Sequence, residues 1–224
     1  MPRKEALFLV LILIGLLLLS NTHLGYSFGD SIFRAVGIPP WTHTELDSGL
    51  HFSVIVGLLV IVSGYIGAVK FYQFRYPNIR SRIVLSCIAF AFLFPIVTEK
   101  TMIVLYYNSV SVSSVAFSKK NSHCSYRSEE ANVKADCTVT LINYGKEKAV
   151  TVRPYLLQNT AEIKFEPMTI SLPPHQKVGV GTAFNGKLLD GTSFSGWSND
   201  IGIEIEVDGL KKRYGKEQLN AMQL

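Results

Sequence analysis

Residues 50–69 run for twenty positions without a charged side chain. As a helix, such a run is about 30 Å long, the thickness of a bilayer's hydrocarbon core. The chain is therefore expected to fold around membrane-spanning helices. Two further apolar runs support this, Ala6–Leu19 and Ile83–Thr98. The first follows Arg3 and Lys4 and is expected to continue into the interface as an uncleaved anchor. A cleaved signal peptide has the same charged start and apolar middle, although no small-x-small site follows Leu19. The third run is short and carries Pro95, which removes a backbone bond and can kink a helix. It is expected to pass Glu99 and Lys100, an interfacial ion pair, and to end with Tyr106 and Tyr107 in the aromatic belt. Helices are expected over about 6–26, 50–69 and 83–107. Thr101–Phe117 offers a fourth span, but only Glu99 and Lys100 would separate it from the third.

The net charge of +5 is unevenly distributed. Residues 101–224 hold 14 basic and 12 acidic side chains, a near balance that argues against nucleic acid as a partner. The segment between spans two and three carries Lys70, Arg75, Arg80 and Arg82 with no acid. Residues 21–49 carry one arginine against Asp30, Glu45 and Asp47. Positive-inside reasoning puts the N-terminus and the 70–82 loop in the cytoplasm of a multi-pass cell-membrane protein, and everything after span three outside.

Beyond residue 107 the pattern changes to period two. Val133, Ala135, Cys137, Val139 and Leu141 share one face of a strand that ends at an Asn143-Tyr-Gly145 turn. Ala149–Leu157, Ile163–Leu172 (broken at Pro167) and Lys177–Phe184 read as further strands, with a turn at Asn185-Gly186. Ile201–Val207 alternates apolar and acidic residues before Asp208-Gly209, a favoured hairpin turn. Closing there pairs Val207 with Leu210, Glu206 with Lys211 and Glu204 with Arg213. Six or seven short strands over 108–217 suggest an antiparallel β-sandwich, with 218–224 as a tail. The strand-turn pattern, above all Leu141-Ile-Asn-Tyr-Gly145, resembles immunoglobulin-like domains. The expected class is α + β, three transmembrane helices followed by that domain. Trp197 falls in a Gly/Ser-rich loop, 191–199.

Cys124 and Cys137 are only 13 positions apart, and an oxidising exterior would join them in a disulfide. Cys87 lies inside span three as a packing residue. Ser53, Gly57, Gly64 and Ala68 fall on one side of span two, where small residues let helices approach closely. That face suits spans one and three of the same chain, a second copy, or a partner's helix.

Chemical signatures are sparse. His43, Glu45, Asp47 and His51 lie within nine residues and include ligand types for zinc or copper. The spacing matches no standard metal motif, and a solvated helix start explains the same residues. Phe28–Trp41 reads as a short amphipathic segment that rests on lipid or packs within the chain. His123 and His175 are lone loop histidines. No phosphate loop, nucleophile elbow or cofactor signature is present. The expected function is non-enzymatic, an extracytoplasmic β-sandwich that binds a protein or envelope partner from a lipid anchor. A metal-dependent membrane enzyme or sensor built on the 43–51 cluster, and an accessory subunit of a larger complex, are the alternatives.

Overall fold

The computed structural model of the protein describes residues 2–43, 48–129, 132–156, 163–188, 195–198 and 201–215. It is an α+β chain with antiparallel sheets, divided into two compact units, residues 1–99 and 100–224.

The first unit holds α1 (Pro2–Leu19), α2 (Phe28–Ala35), β1 (Trp41–His43), β2 (Ser48–His51), α3 (Phe52–Tyr72) and most of α4 (Ile79–Tyr106). Helix α1 stops at Leu19, short of the expected residue 26. Gly25, at φ +87°, closes a turn in which its N–H donates to the Thr22 carbonyl (3.0 Å). The Phe28 N–H then returns to the Ser20 carbonyl (3.0 Å), so the chain folds back over the helix end instead of extending it. Helix α3 begins at Phe52, not at Leu50. Residues 48–51 pair with 41–43 as a hairpin, and the Phe52 N–H is taken by the Pro40 carbonyl (2.8 Å). Helix α4 starts at Ile79, earlier than residue 83, and ends at Tyr106, so 101–117 forms no further spanning helix; only one 3-10 turn, Val112–Ser114, follows before the strand Val115–Phe117. Helices α3 and α4 are each long and apolar enough to cross a membrane. Glu99 and Lys100 lie inside α4 and form no ion pair, because successive helical residues do not face each other.

Four residues of α3 are buried, Ser53, Gly57, Gly64 and Ala68. They are the small face read from the sequence, and α1 packs on it. A Cβ at Gly57 would lie 2.9 Å from Leu19 Cδ2 and 3.3 Å from the Gly15 carbonyl oxygen. One at Gly64 would lie 2.9 Å from the Phe8 carbonyl oxygen, and one at Gly15 2.8 Å from that of Gly57. Backbone thus meets backbone, which only glycine permits at such separations. Ile12, Ala68 and Ile83 form the adjoining buried cluster, bringing the start of α4 against the pair. Gly64→Leu should lower stability in detergent by about 1–3 kcal/mol through overpacking. Leu59→Ala, on the exposed side of α3, should leave it unchanged; thermal melts of the purified protein compare the two.

The second unit contains β3 (Val115–Phe117), β4 (His123–Glu129), β5 (Asn132–Asn143), β6 (Ala149–Leu156), β7 (Ile163–Phe165), β8 (Met168–Ser171), β9 (Lys177–Leu188), β10 (Ser195–Ser198), β11 (Ile201–Val207) and β12 (Leu210–Tyr214). One sheet runs β10-β4-β5-β9-β7, with β3 also paired to β5; the other runs β12-β11-β6-β8. Strand β5 buries Val133, Ala135, Cys137, Val139 and Leu141, the alternation its sequence carries. Each buried aliphatic side chain contributes about 1.5–3 kcal/mol relative to exposure, so this one face is a large part of the unit's stability. The sheets share buried contacts. Phe117 on β3 meets Tyr214 of β12 edge-on, centroids 6.3 Å apart, and the Tyr214 hydroxyl donates to the Val115 carbonyl.

Several expectations change. Asn185-Gly186 is not a turn; β9 runs through it. Gly186 is there because a Cβ would meet Phe165 Cδ1 at 2.7 Å, so it gives the phenylalanine ring of β7 its space. Residues 163–172 are two strands in different sheets. The Glu166 N–H makes the last bond to β9, at the Asn185 carbonyl (2.8 Å), and Pro167, without a donor, marks the crossing. Residues 195–198 of the expected Gly/Ser-rich loop form an edge strand on β4, a strand the polar sequence of 123–129 concealed.

The last hairpin keeps its expected register, Val207 opposite Leu210, Glu206 opposite Lys211 and Glu204 opposite Arg213. Asp208 (φ +49°) and Gly209 (φ +80°) supply the two positive φ values of a type I′ turn. Glu204 is nonetheless buried. Arg213 Nε donates to its Oε2 (2.9 Å), while Lys211 Nζ (3.5 Å) and Arg153 Nη1 (3.7 Å) approach Oε1. Burial pushes its carboxyl upward, but the Arg213 hydrogen bond and the charges of Lys211, Arg213 and Arg153 together override this and hold it below the usual carboxylate range. The resulting stabilisation is fully present above the unfolded pKa of about 4.3 and is lost as pH falls through the lowered folded value. Glu204→Gln should cost about 1–2 kcal/mol at neutral pH, discounted for the exposed cations, and the gap should close in acid. Urea titrations of both proteins over that range test it.

Candidate functional site

The most organised polar cluster of the first unit sits where α3 begins. Ser27 caps α2, its Oγ accepting the Asp30 N–H (3.2 Å). That cap fixes the helix so that the Asp30 carboxylate faces α3 instead of water. Its Oδ1 accepts the Ser53 hydroxyl (2.5 Å) and lies 2.7 Å from His51 Nε2. Ser53 is fully buried; Asp30 and His51 keep 14% and 22% of their side-chain exposure, enough for water to reach the pair. Trp41 stacks on the His51 ring, centroids 3.8 Å apart and planes 15° apart. One carboxylate thereby joins α2, the β1–β2 hairpin and α3. Nearby, His23 Nδ1 lies 3.0 Å from the Thr98 hydroxyl and ties the turn after α1 to α4.

The order of groups decides the chemistry. In a hydrolytic triad the imidazole stands between hydroxyl and carboxylate and takes the hydroxyl's proton. Here the carboxylate stands between Ser53 and His51, and it is the carboxylate, not the imidazole, that accepts the Ser53 hydroxyl. The cluster is built as a staple.

Of the sequence-predicted metal ligands, Glu45 and Asp47 lie outside the described residues. His43 is exposed near the far end of the hairpin, opposite Ser48, while His51 lies opposite Trp41 and is engaged by Asp30. Among the described residues no group of three or more histidine, cysteine or acidic side chains is arranged to hold a metal. Sequence reasoning missed Asp30 and Trp41 as partners of His51. The Ser27-x-x-Asp30 spacing signals a helix start, but nothing local indicates that the acid turns toward a residue 21 positions away.

The other predicted residues fall as follows. Lys70 lies in the last turn of α3, Arg75 in the link after it, and Arg80 and Arg82 at the start of α4. Cys124 and Cys137 face each other across β4 and β5, Cα atoms 4.1 Å apart, with their sulfurs at disulfide distance. His175 is no free loop histidine. At φ +56° it stacks on Tyr107 (4.3 Å), and its Nδ1 lies 2.9 Å from the Tyr144 carbonyl. Lys146 covers the Tyr107 ring, and its N–H donates to the Ser109 carbonyl (3.0 Å). The Leu141–Gly145 stretch is thus the seat on which the segment following α4 rests.

Comparison with protein-family models, with curated proteins and with solved structures finds no match.

Asp30→Ala should leave the buried Ser53 hydroxyl unsatisfied and cost about 1–3 kcal/mol. It should also free the Trp41–His51 stack, read as a red shift of Trp41 emission in a Trp197→Phe background.

Proposed function

We propose that the chain is an integral membrane protein in which α1, α3 and α4 span the cell membrane. Its N-terminus and the 70–82 segment lie in the cytoplasm. Its two sheets form an immunoglobulin-like β-sandwich outside, which binds a protein or cell-envelope partner without catalysing a reaction. The observation that carries this reading is the surface of α4. Val84, Leu85, Ile88, Phe92, Leu93, Ile96 and Val97 are all exposed, and Ile83 is the helix's one buried residue. A helix this apolar, with most of its surface left uncovered by its own chain, belongs in hydrocarbon. The direction is supported by four cations within residues 70–82, from the last turn of α3 to the first turn of α4, with no acid among them. The Cys124–Cys137 pairing favours an oxidising compartment for the second unit.

A binding role is favoured over catalysis by the character of the polar groups. Asp30, Ser53 and His51 engage one another, and Glu204 is saturated by cations. A metal-dependent role gains no support from His51, whose Nε2 is already committed. If the chain is an accessory subunit, α4 is the contact, because the small face of α3 is filled by α1.

An impermeant protease added to intact cells should remove the second unit and leave a membrane-embedded fragment. Digestion confined to inverted membrane vesicles would reverse the topology and end the proposal.

A further inference from the structure

Helix α2 is turned inside out for a water-facing segment. Its carboxylate, Asp30, is tucked against Ser53 and His51, and Gly29 is pressed on α1 so closely that a Cβ would meet the Leu18 carbonyl oxygen. Ile32, on the side away from Asp30, Val36 at the helix C-cap and Ile38 beyond it are exposed by 38%, 64% and 48%. Leu50 of the hairpin, 61% exposed, extends the apolar surface beside the start of α3. A soluble helix arranges these sides the other way round.

The height of this surface is set by its attachments. Helix α3 has 21 residues and is about 31 Å long, the thickness of the hydrocarbon core. Its first turn, at Ser53, therefore marks one boundary of that core. Asp30 is hydrogen-bonded to that turn, so α2 lies at the same level. Trp41, stacked on His51 there, has the side-chain type that favours the headgroup layer.

We infer that α2 and the 36–39 segment form an in-plane wedge whose Ile32, Val36 and Ile38 side chains sit at the boundary between headgroups and acyl chains. The leaflet is the one in which α3 begins. The occupant of the exposed apolar face is lipid, and the argument is continuity. The same surface runs down α3 through Ile55, Val56, Leu58 and Leu59, all exposed. The inference rests on the membrane-spanning reading above and adds a second, shallow contact to it. Held by the Asp30 staple, the wedge fixes how deep the outer ends of α1 and α3 ride in the bilayer.

The test uses full-length protein in vesicles of phosphatidylcholine and phosphatidylglycerol. Cys87 is replaced by serine, the Cys124–Cys137 pair is left oxidised, and bimane is attached at Val36→Cys, Ile38→Cys, Leu59→Cys or Lys134→Cys. Val36 and Ile38 labels should be quenched by lipids with a doxyl group near the headgroup, at least about twofold more than by lipids carrying it near the chain end. Leu59 should show the opposite preference, and Lys134 should respond only to aqueous iodide. Iodide quenching of Val36 and Ile38, with Leu59 still quenched by lipid, would overturn the wedge and leave the spanning reading intact. Quenching of those two labels by neither agent would assign the face to protein, a second copy or a partner, and would equally overturn it. Failure of lipid to quench Leu59 would remove both readings.

Discussion

The contact between the backbones of α1 and α3 is the constraint on which the first unit depends. Where Gly15 meets Gly57, and Gly64 meets the Phe8 carbonyl, no side chain separates the helices. In the lipid setting proposed above, apolar side chains alone would give helices little reason to associate, because a hydrocarbon tail competes equally well with leucine. Close backbone approach adds dispersion contacts that a tail does not match, since each atom pair contributes only about 0.1–0.2 kcal/mol and the number of pairs decides. Once α1 and α3 are fixed, the turn at Gly25 can lay α2 across their ends, and Asp30 can find Ser53. The seam and the staple share a residue, because Ser53 is itself the first small residue of the seam.

The two units solve the burial of polar groups differently. In the first, Asp30 takes a hydroxyl and an imidazole onto one oxygen and keeps part of its surface open to water. In the second, Glu204 is covered almost completely by the side chains that neutralise it, Arg213, Lys211 and Arg153. Burying a charge is costly unless it is paired and hydrogen-bonded. Both arrangements meet that requirement, but with different reach. Asp30 holds three elements together, whereas Glu204 only sets the register of strands β6, β11 and β12, which the apolar face of Ile203 and Ile205 already specifies.

Legibility in the sequence followed the range of the interactions. The apolar helices, the small face of α3 and the β11–β12 register were readable because each is encoded by a composition, a period or a turn dipeptide within one segment. The end of α1 was not. An apolar run states where a helix is favourable, but its stop depended on Gly25 taking a positive φ and on a hydrogen bond back to Ser20. The turn expected at Asn185-Gly186 failed for a related reason. That dipeptide favours a hairpin in isolation, yet Gly186 is there to admit the Phe165 ring, a tertiary demand that overrides local preference. The strand at 123–129 was hidden because its outward residues are polar and its inward ones include a cysteine and a tyrosine. The polar cluster of the first unit was half visible. The histidines were noted, but the carboxylate that engages His51 came from the segment read only as amphipathic.

The immunoglobulin-like resemblance was carried by Leu141-Ile-Asn-Tyr-Gly145, and the local geometry explains why that stretch stands out. Asn143 donates through its amide to the carbonyls of Glu147 (2.6 Å) and Pro173 (3.1 Å) and accepts the Gly145 N–H (3.1 Å). Tyr144, fully buried, takes the Ser114 carbonyl with its N–H (2.8 Å) and offers its own carbonyl to His175. A Cβ at Gly145 would collide with the Ser109 carbonyl oxygen. Three consecutive residues therefore close a strand end, anchor the chain leaving α4 and seat the histidine that stacks on Tyr107. The side-chain types needed are an amide, a large buried aromatic and glycine, and the same demand arises wherever a strand must end against an incoming chain. A short run of this kind is thus a statement about a joint. It specifies how the β unit receives its linker, and it carries no information about which ligand the unit's outer surfaces bind.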